Sequence, residues 1–393
     1  MIKTQKASRR EFGKMTLSTG LMIGVPACAQ TQKIRPIPLS NDPALNAPLK
    51  DLAAKKGLRF GTAIGSNRNG GLQDPAYLEI IKRECNLLVA ENEHKLYTIM
   101  RTPDHYEFGP ADALVDFASA HDIPFRGHTL LWDNEDFIPD WVESYDFGRD
   151  ERKGMRAFLR EYFRTVCTHF GDRIKSWDVV NEAISPYSGR ERNTVFRRLA
   201  DDELIEYCFQ LAREYAPHAE LVYNDFPTWE RWRGIHRDGV LRLLERLKAR
   251  NVPIDAVGIQ SHLGLMTGNP TSGFPDPQQK AWRDFMDEIV AMGFNILITE
   301  FDVNDAKLTA DIERRDQIIA DYGGAYLDLM LDYPQVKDIV AWGLADRYSW
   351  LQNWWPRKDG VRKRPTLYDE NLRPKPLRQA VARSLLNAPV RDS

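Results

Sequence analysis

Short apolar runs alternate with longer amphipathic segments from Leu58 to Gly343, and that rhythm leaves few folds open. Runs of strand type lie at Leu58–Ile64, Leu87–Ala90, Phe125–Trp132, Ile174–Glu182, Ala219–Asn224, Ala256–His262, Ile296–Glu300 and Ile339–Gly343. Helical patterns separate them, as at Gly154–Phe170, Asp202–Tyr215, Arg237–Arg250, Gln278–Met292 and Arg315–Leu331. Strict alternation of this kind demands a parallel sheet with helical crossovers. Eight units over roughly 330 residues give about 41 residues each, which suits a (β/α)8 barrel with loop insertions. The expected fold is therefore α/β, a single-domain TIM barrel over residues 51–390.

Two of the runs stop at an acid. Trp177-Asp178-Val179-Val180-Asn181 leads into Glu182, and Ile296-Leu297-Ile298-Thr299 leads into Glu300. The 118 residues between the two glutamates equal three units of about 39, so they are expected to end strands four and seven on one rim of the barrel. Active sites of parallel α/β folds are assembled at that rim. The other strand ends are polar too. They carry Glu91-Asn92-Glu93-His94-Lys95, His128 with Trp132, Asn224-Asp225, Gln260-Ser261-His262 and Glu300-Phe301-Asp302, and the last gives Trp342 followed by Trp350. One such residue would ordinarily be structural. A whole rim of them predicts a site for a polyhydroxylated ligand.

Composition narrows the partners. The 393 residues carry 54 Lys and Arg against 56 Asp and Glu, so no basic field exists to attract nucleic acid. The N-terminus reads as an address. Ser8-Arg9-Arg10-Glu11-Phe12-Gly13-Lys14 precedes a mildly apolar run from Met15 to Val25, too short to span a bilayer. This pattern resembles a twin-arginine export signal over residues 1–29, and Ala27-Cys28-Ala29 suits cleavage before Gln30. Lipidation at Cys28 is the less favoured processing, because Pro26 interrupts the motif. The expectation is an exported bacterial protein, periplasmic or secreted, with no stable membrane insertion after signal removal. Residues 30–50 hold Pro36, Pro38, Pro43 and Pro48 and read as a linker or an arm lying on the domain. Cys85, Cys167 and Cys208 show no metal or redox spacing and are expected to be buried thiols.

Taken in order, the blocks ENEHK, GHTLLW, WDVVNEAI, YNDF, QSHL, ITEFDV and WGLADRYSW resemble those of glycoside hydrolase family ten, the retaining endo-1,4-β-xylanases. The match runs from about Leu58 to Trp350. The resemblance implies a xylan or xylo-oligosaccharide substrate, with Glu182 as general acid/base and Glu300 as nucleophile. It implies that His262 hydrogen-bonds Glu300 and is oriented by Asp302. It also implies that Glu91, Asn92, Lys95, His128, Trp132, Asn181 and Gln260 contact the sugar, while Trp342 and Trp350 wall the site. Retaining hydrolysis needs two carboxyls roughly 5 to 5.5 Å apart and calls for no metal or cofactor. A monomer is expected. The alternatives are a related β-glycosidase acting on decorated xylan fragments or β-1,4-glucan, and a non-catalytic carbohydrate-binding barrel, which the two intact glutamates argue against.

The chain departs from the family pattern twice. His94 and Leu96 stand where the family has Met and Trp. After Trp132, where the family has His-Ser-Gln, the chain reads Asp133-Asn134-Glu135-Asp136-Phe137-Ile138-Pro139-Asp140-Trp141. Both changes are expected on the glycone side, which leaves the preference for linear xylan open. Glu135 is expected to approach the glycone in the place of the family's glutamine, where its charge would repel uronic acid decorations.

Overall fold

The computed structural model describes residues 39–200, 203–230, 234–267, 269–270 and 276–391. The expected export signal and the first part of the expected arm lie outside them, as does Asp202, the expected start of one helix.

Eight parallel strands close on themselves. They are β1 (Arg59–Ile64), β2 (Leu87–Ala90), β3 (Phe125–Trp132), β4 (Ile174–Asn181), β5 (Glu220–Asp225), β6 (Ala256–Ile259), β7 (Asn295–Val303) and β8 (Val336–Ala341). Each pairs with its sequence neighbours, and β8 pairs with β1 through Phe60 and Ile339 to complete the barrel. Strands covered on both faces need continuous apolar runs, and all residues of β2 and all but Lys175 of β4 are buried. The helices cover the outside. Glu151–Phe170 is typical: the Asp150 carboxylate accepts from the Lys153 amide at its start, and Gly171 at φ 51 ends it. Close packing fixes one glycine in β3, since a β-carbon on Gly127 would lie 2.0 Å from the Trp177 ring.

Three boundaries differ from the sequence expectation, and each moves a site residue. β6 stops at Ile259, because Ser261 turns left-handed at φ 63 with its hydroxyl donating to the Ile259 carbonyl. The chain then resumes as the two-residue strand His262–Leu263, paired with Asp302 and Val303 of β7, so that His262 faces Asp302. β7 runs on to Val303, which places Glu300 inside the strand rather than at its end. β4 stops at Asn181, one residue before Glu182.

The described part of the arm lies on the barrel. Two short helices, Pro43–Asn46 and Leu49–Ala54, pack beside the C-terminal helix Pro376–Asn387. Ser40 and Gln379 exchange hydrogen bonds at 3.0 and 2.9 Å, and the Arg378 guanidinium donates to the Leu45 and Ala47 carbonyls and to Glu84. Leu45 and Leu49 are buried, contributing roughly 1.5–3 kcal/mol apiece. The three cysteines are buried free thiols. No helix among the described residues is long and apolar enough to cross a membrane.

Candidate active site

Glu300 lies buried at the mouth of the barrel, held from three sides. Asn224, at the end of β5, donates its amide to Oε1 at 2.8 Å. His262 places Nε2 3.1 Å from Oε2, and its Nδ1 is 2.9 Å from Asp302 Oδ1. The other oxygen of Asp302 accepts from the Trp350 indole N–H at 2.9 Å. A second histidine, His128 on β3, stands 4.0 Å from Glu300 Oε1 and bonds Asp178 through Nδ1 at 2.9 Å. Asp178 in turn accepts from the buried Arg126 guanidinium at 2.6 Å.

These contacts set the charge. Burial disfavours the ionised form of Glu300, but His128, His262 and Lys95 outweigh it and hold its pKa at about 2. Burial likewise disfavours a charged His262, yet Asp302 and Glu300 raise it to about 10. His262 is therefore an imidazolium at neutral pH, with both N–H groups engaged by carboxylates.

Glu182 follows directly on β4. Its backbone is left-handed at φ 57, an uncommon setting for a residue with a β-carbon and one found often at functional positions. The Glu182 amide donates to the Asn224 carbonyl at 2.9 Å, and Arg192 Nε donates to the Glu182 carbonyl at 2.8 Å. Oε1 accepts from Gln260 Nε2 at 2.9 Å and Oε2 from Asn134 Nδ2 at 3.2 Å. Amides link the two acids: Gln260 Nε2 and Asn224 Nδ2 both donate to Asn181 Oδ1, at 3.3 and 2.9 Å. Turning the Asn181 amide over would let its oxygen accept from Trp132 Nε1 at 3.2 Å. It would also set its nitrogen against Asn224 Nδ2, a donor already fixed by the Glu300 carboxylate, so the first setting is the stronger.

The remaining expected residues converge on the same mouth. Lys95 Nζ donates to Asn92 Oδ1 at 3.2 Å and stands over the Trp132 ring at 4.5 Å and the Trp342 ring at 6.0 Å. Burial raises Glu91 to about 7 against the pull of Lys95. Trp342 meets His128 edge-on at 5.3 Å, and Trp350 tilts against His262 at 5.1 Å. Trp132 stacks on Phe137 of the altered loop at 3.6 Å.

Both departures from the family pattern turn out differently from expectation. His94 and Leu96 are buried in the core, and His94 stands among Phe125, Phe170 and Trp177 rather than in the cleft. Glu135 points outward and pairs with Arg192 at 3.4 Å, its side chain more than half exposed. Asn134 is the loop residue that reaches the acid, while Asp133 is buried and accepts from Thr194 Oγ1 at 2.6 Å. Burial raises Asp133 to about 7 against that hydrogen bond. Asn224 was read as a polar strand end without a role, and Asn134, Asp178 and Arg126 were not expected in the site. Asn224 and Asp178 had a signal, since both stand in the motif blocks; Asn134 and Arg126 had none.

The comparisons with known proteins agree with this geometry. The model of glycosyl hydrolase family 10 matches residues 48–384. The chain belongs to glycosyl hydrolase family 10. It is 31% identical over 347 residues to endo-1,4-β-xylanase B of Thermotoga neapolitana, covering 88% of this chain and 94% of that protein. It is 34% identical over 311 residues to a β-1,4-xylanase of Dictyoglomus thermophilum, covering 76% of this chain and 82% of the relative. Among solved structures it resembles native xylanase 10B from Thermotoga maritima, with a TM-score of 0.75 and 34% identity over 86% of this chain and 98% of the other.

Proposed function

We propose that this family 10 hydrolase is a retaining endo-1,4-β-xylanase acting on xylan and xylo-oligosaccharides, with Glu300 as nucleophile and Glu182 as acid and then base. The observation that carries the assignment is the unequal setting of the two glutamates. Glu300 is held ionised by an imidazolium and a second histidine, whereas the hydrogen-bond donors to the Glu182 carboxyl are neutral amides. The Glu300 carboxylate attacks the anomeric carbon, and the bond to the departing oxygen breaks as that oxygen takes the Glu182 proton. A water then gives a proton to Glu182, and its oxygen displaces Glu300 from the same carbon, restoring configuration. Asn181 is suited to bond the sugar 2-hydroxyl, a contact that tightens as positive charge grows at the ring. Asn92, Lys95, His128 and Gln260 offer further polar contacts, and Trp132, Trp342 and Trp350 offer faces and edges for the sugar rings.

The names of the relatives support xylan as the polymer. The Arg9-Arg10 pair supports export by the twin-arginine route. The deciding experiment is NMR of the first-formed anomer from xylohexaose, with Glu300→Ala and Glu182→Ala in parallel. Retention is expected, with Glu300→Ala inactive and Glu182→Ala sparing activated aryl glycosides and rescued by azide. An inverted product, or full activity in Glu300→Ala, refutes the assignment.

A further inference from the structure

Beyond the catalytic wall the aromatic surface continues. Trp350, which tilts against His262, is followed by Trp354 at a ring separation of 5.1 Å, and Trp354 by Trp355 at 6.1 Å. Trp354 is one of five large hydrophobic side chains exposed among the described residues, at 38%. What sets Trp354 apart is that it continues the aromatic wall of the cleft onto the surface. Trp355 is held left-handed at φ 52, a costly setting for a bulky residue.

Buried cations fix this segment. Lys363 donates through Nζ to the Trp354 carbonyl at 3.0 Å and is itself buried, with burial lowering its pKa to about 8 against the pull of Asp305 and Asp302. Gln352 donates to the Asp346 and Lys363 carbonyls at 2.8 and 2.9 Å. The buried Arg357 guanidinium reaches across to the loop after β7 and donates to the Asp305 and Leu308 carbonyls at 2.5 and 2.8 Å. That staple brings Lys307 to the tryptophans, where its Nζ stands 5.2 Å from the centre of the Trp355 ring. Lys307 is exposed and has no carboxylate partner among the described residues. An indole face beside an unpaired ammonium, held in advance and continuous with a sugar cleft, matches a sugar that carries a carboxylate.

We propose that Trp354 and Lys307 form an outlying subsite for a xylose unit bearing a uronic acid, with the indole stacking on the sugar and the ammonium pairing with the carboxylate. This inference rests on the reading of the cleft as a xylanase site. The test compares kcat/KM on an aryl β-xylobioside, linear xylohexaose and a uronic-acid-decorated xylo-oligosaccharide of the same backbone length. Trp354→Ala is expected to lower the two long substrates relative to the aryl glycoside by roughly fivefold to tenfold. Lys307→Met is expected to lower the decorated-to-linear ratio by about threefold to fivefold at low salt and less at high salt, with Lys307→Arg restoring it. A decorated-to-linear ratio unmoved by Lys307→Met, or equal losses on short and long substrates in Trp354→Ala, overturns the proposal. Wild-type protein inactive on all three substrates would instead overturn the reading of the cleft.

Discussion

Lowering the pH tests a histidine of the core. His94 is fully buried among Phe125, Phe170 and Trp177, and neither ring nitrogen has a hydrogen-bond partner. Burial, with smaller contributions from His128, Arg173 and His169, lowers its pKa from 6.5 to about 3. The folded protein therefore keeps His94 neutral at a pH where the unfolded chain would protonate it. Because the folded pKa is depressed, the unfolded state binds the extra proton, and stability falls as pH drops below about 6.5. The loss grows until the folded pKa is reached. At pH 5 the unfolded state gains about 2 kcal/mol from this proton, and almost nothing at pH 7.5. That figure depends only on the folded pKa lying well below 5. His94→Met removes the titrating group and keeps an apolar side chain of similar volume, and it relieves two unpaired nitrogens. Urea unfolding at pH 7.5 and pH 5 is the assay. The wild type is expected to lose about 2 kcal/mol more than His94→Met between the two conditions, since all other groups titrate alike in both. Equal losses would refute a neutral, unpartnered histidine at this position.

Three further outcomes follow from the site. Asp302→Asn removes the carboxylate that holds His262 near a pKa of about 10, so the imidazolium should deprotonate at lower pH and the alkaline limb of the activity profile should move down; an unchanged limb would refute the relay. Asn134→Ala takes a donor from Glu182 and is expected to lower kcat/KM about tenfold on xylan but little on aryl glycosides whose leaving group needs no proton; equal loss on both would count against the contact. Replacing Arg9 and Arg10 with lysine is expected to leave the precursor in the cytoplasm, and cell fractionation reads the result directly.

The barrel was legible because its signal, a short apolar-rich run followed by an amphipathic helix, is repeated eight times. Strand ends were read less well for an identifiable reason. Apolar pattern does not report where the backbone turns left-handed, so the break at Ser261 and the step beyond β4 to Glu182 stayed hidden. The motif blocks pointed to Glu182 and Glu300, and both lie at the one mouth of the barrel. The altered residues were not legible. A histidine beside a lysine and two glutamates reads as polar, yet position 94 points into an aromatic cage, and only packing reveals that. Three acids in one loop read as a negative surface near the cleft. Thr194 takes one of them into the core and Arg192 pairs with another at the surface, both partners lying more than fifty residues away.

The different parts proposed for two chemically identical side chains trace back to their places on the barrel. Glu300 lies within β7, flanked by strands on both sides, so side chains from β3, from β5 and from the short strand after β6 can all reach its carboxylate. Two histidine–carboxylate pairs converge on it. One is anchored below by Arg126 inside the barrel, and the other is capped above by the Trp350 indole. Both imidazoles face a carboxylate buried away from water, a setting that favours its ionised form. Glu182 stands one residue beyond its strand, in a left-handed turn, where the donors that reach its carboxyl are neutral amides. Amides can bond a carboxyl in either protonation state, which suits Glu182 to the acid/base role proposed for it. Exchanging the two environments would have to exchange the strand positions as well, which is why the proposed assignment of nucleophile and acid/base rests on the positions of the two residues on the barrel.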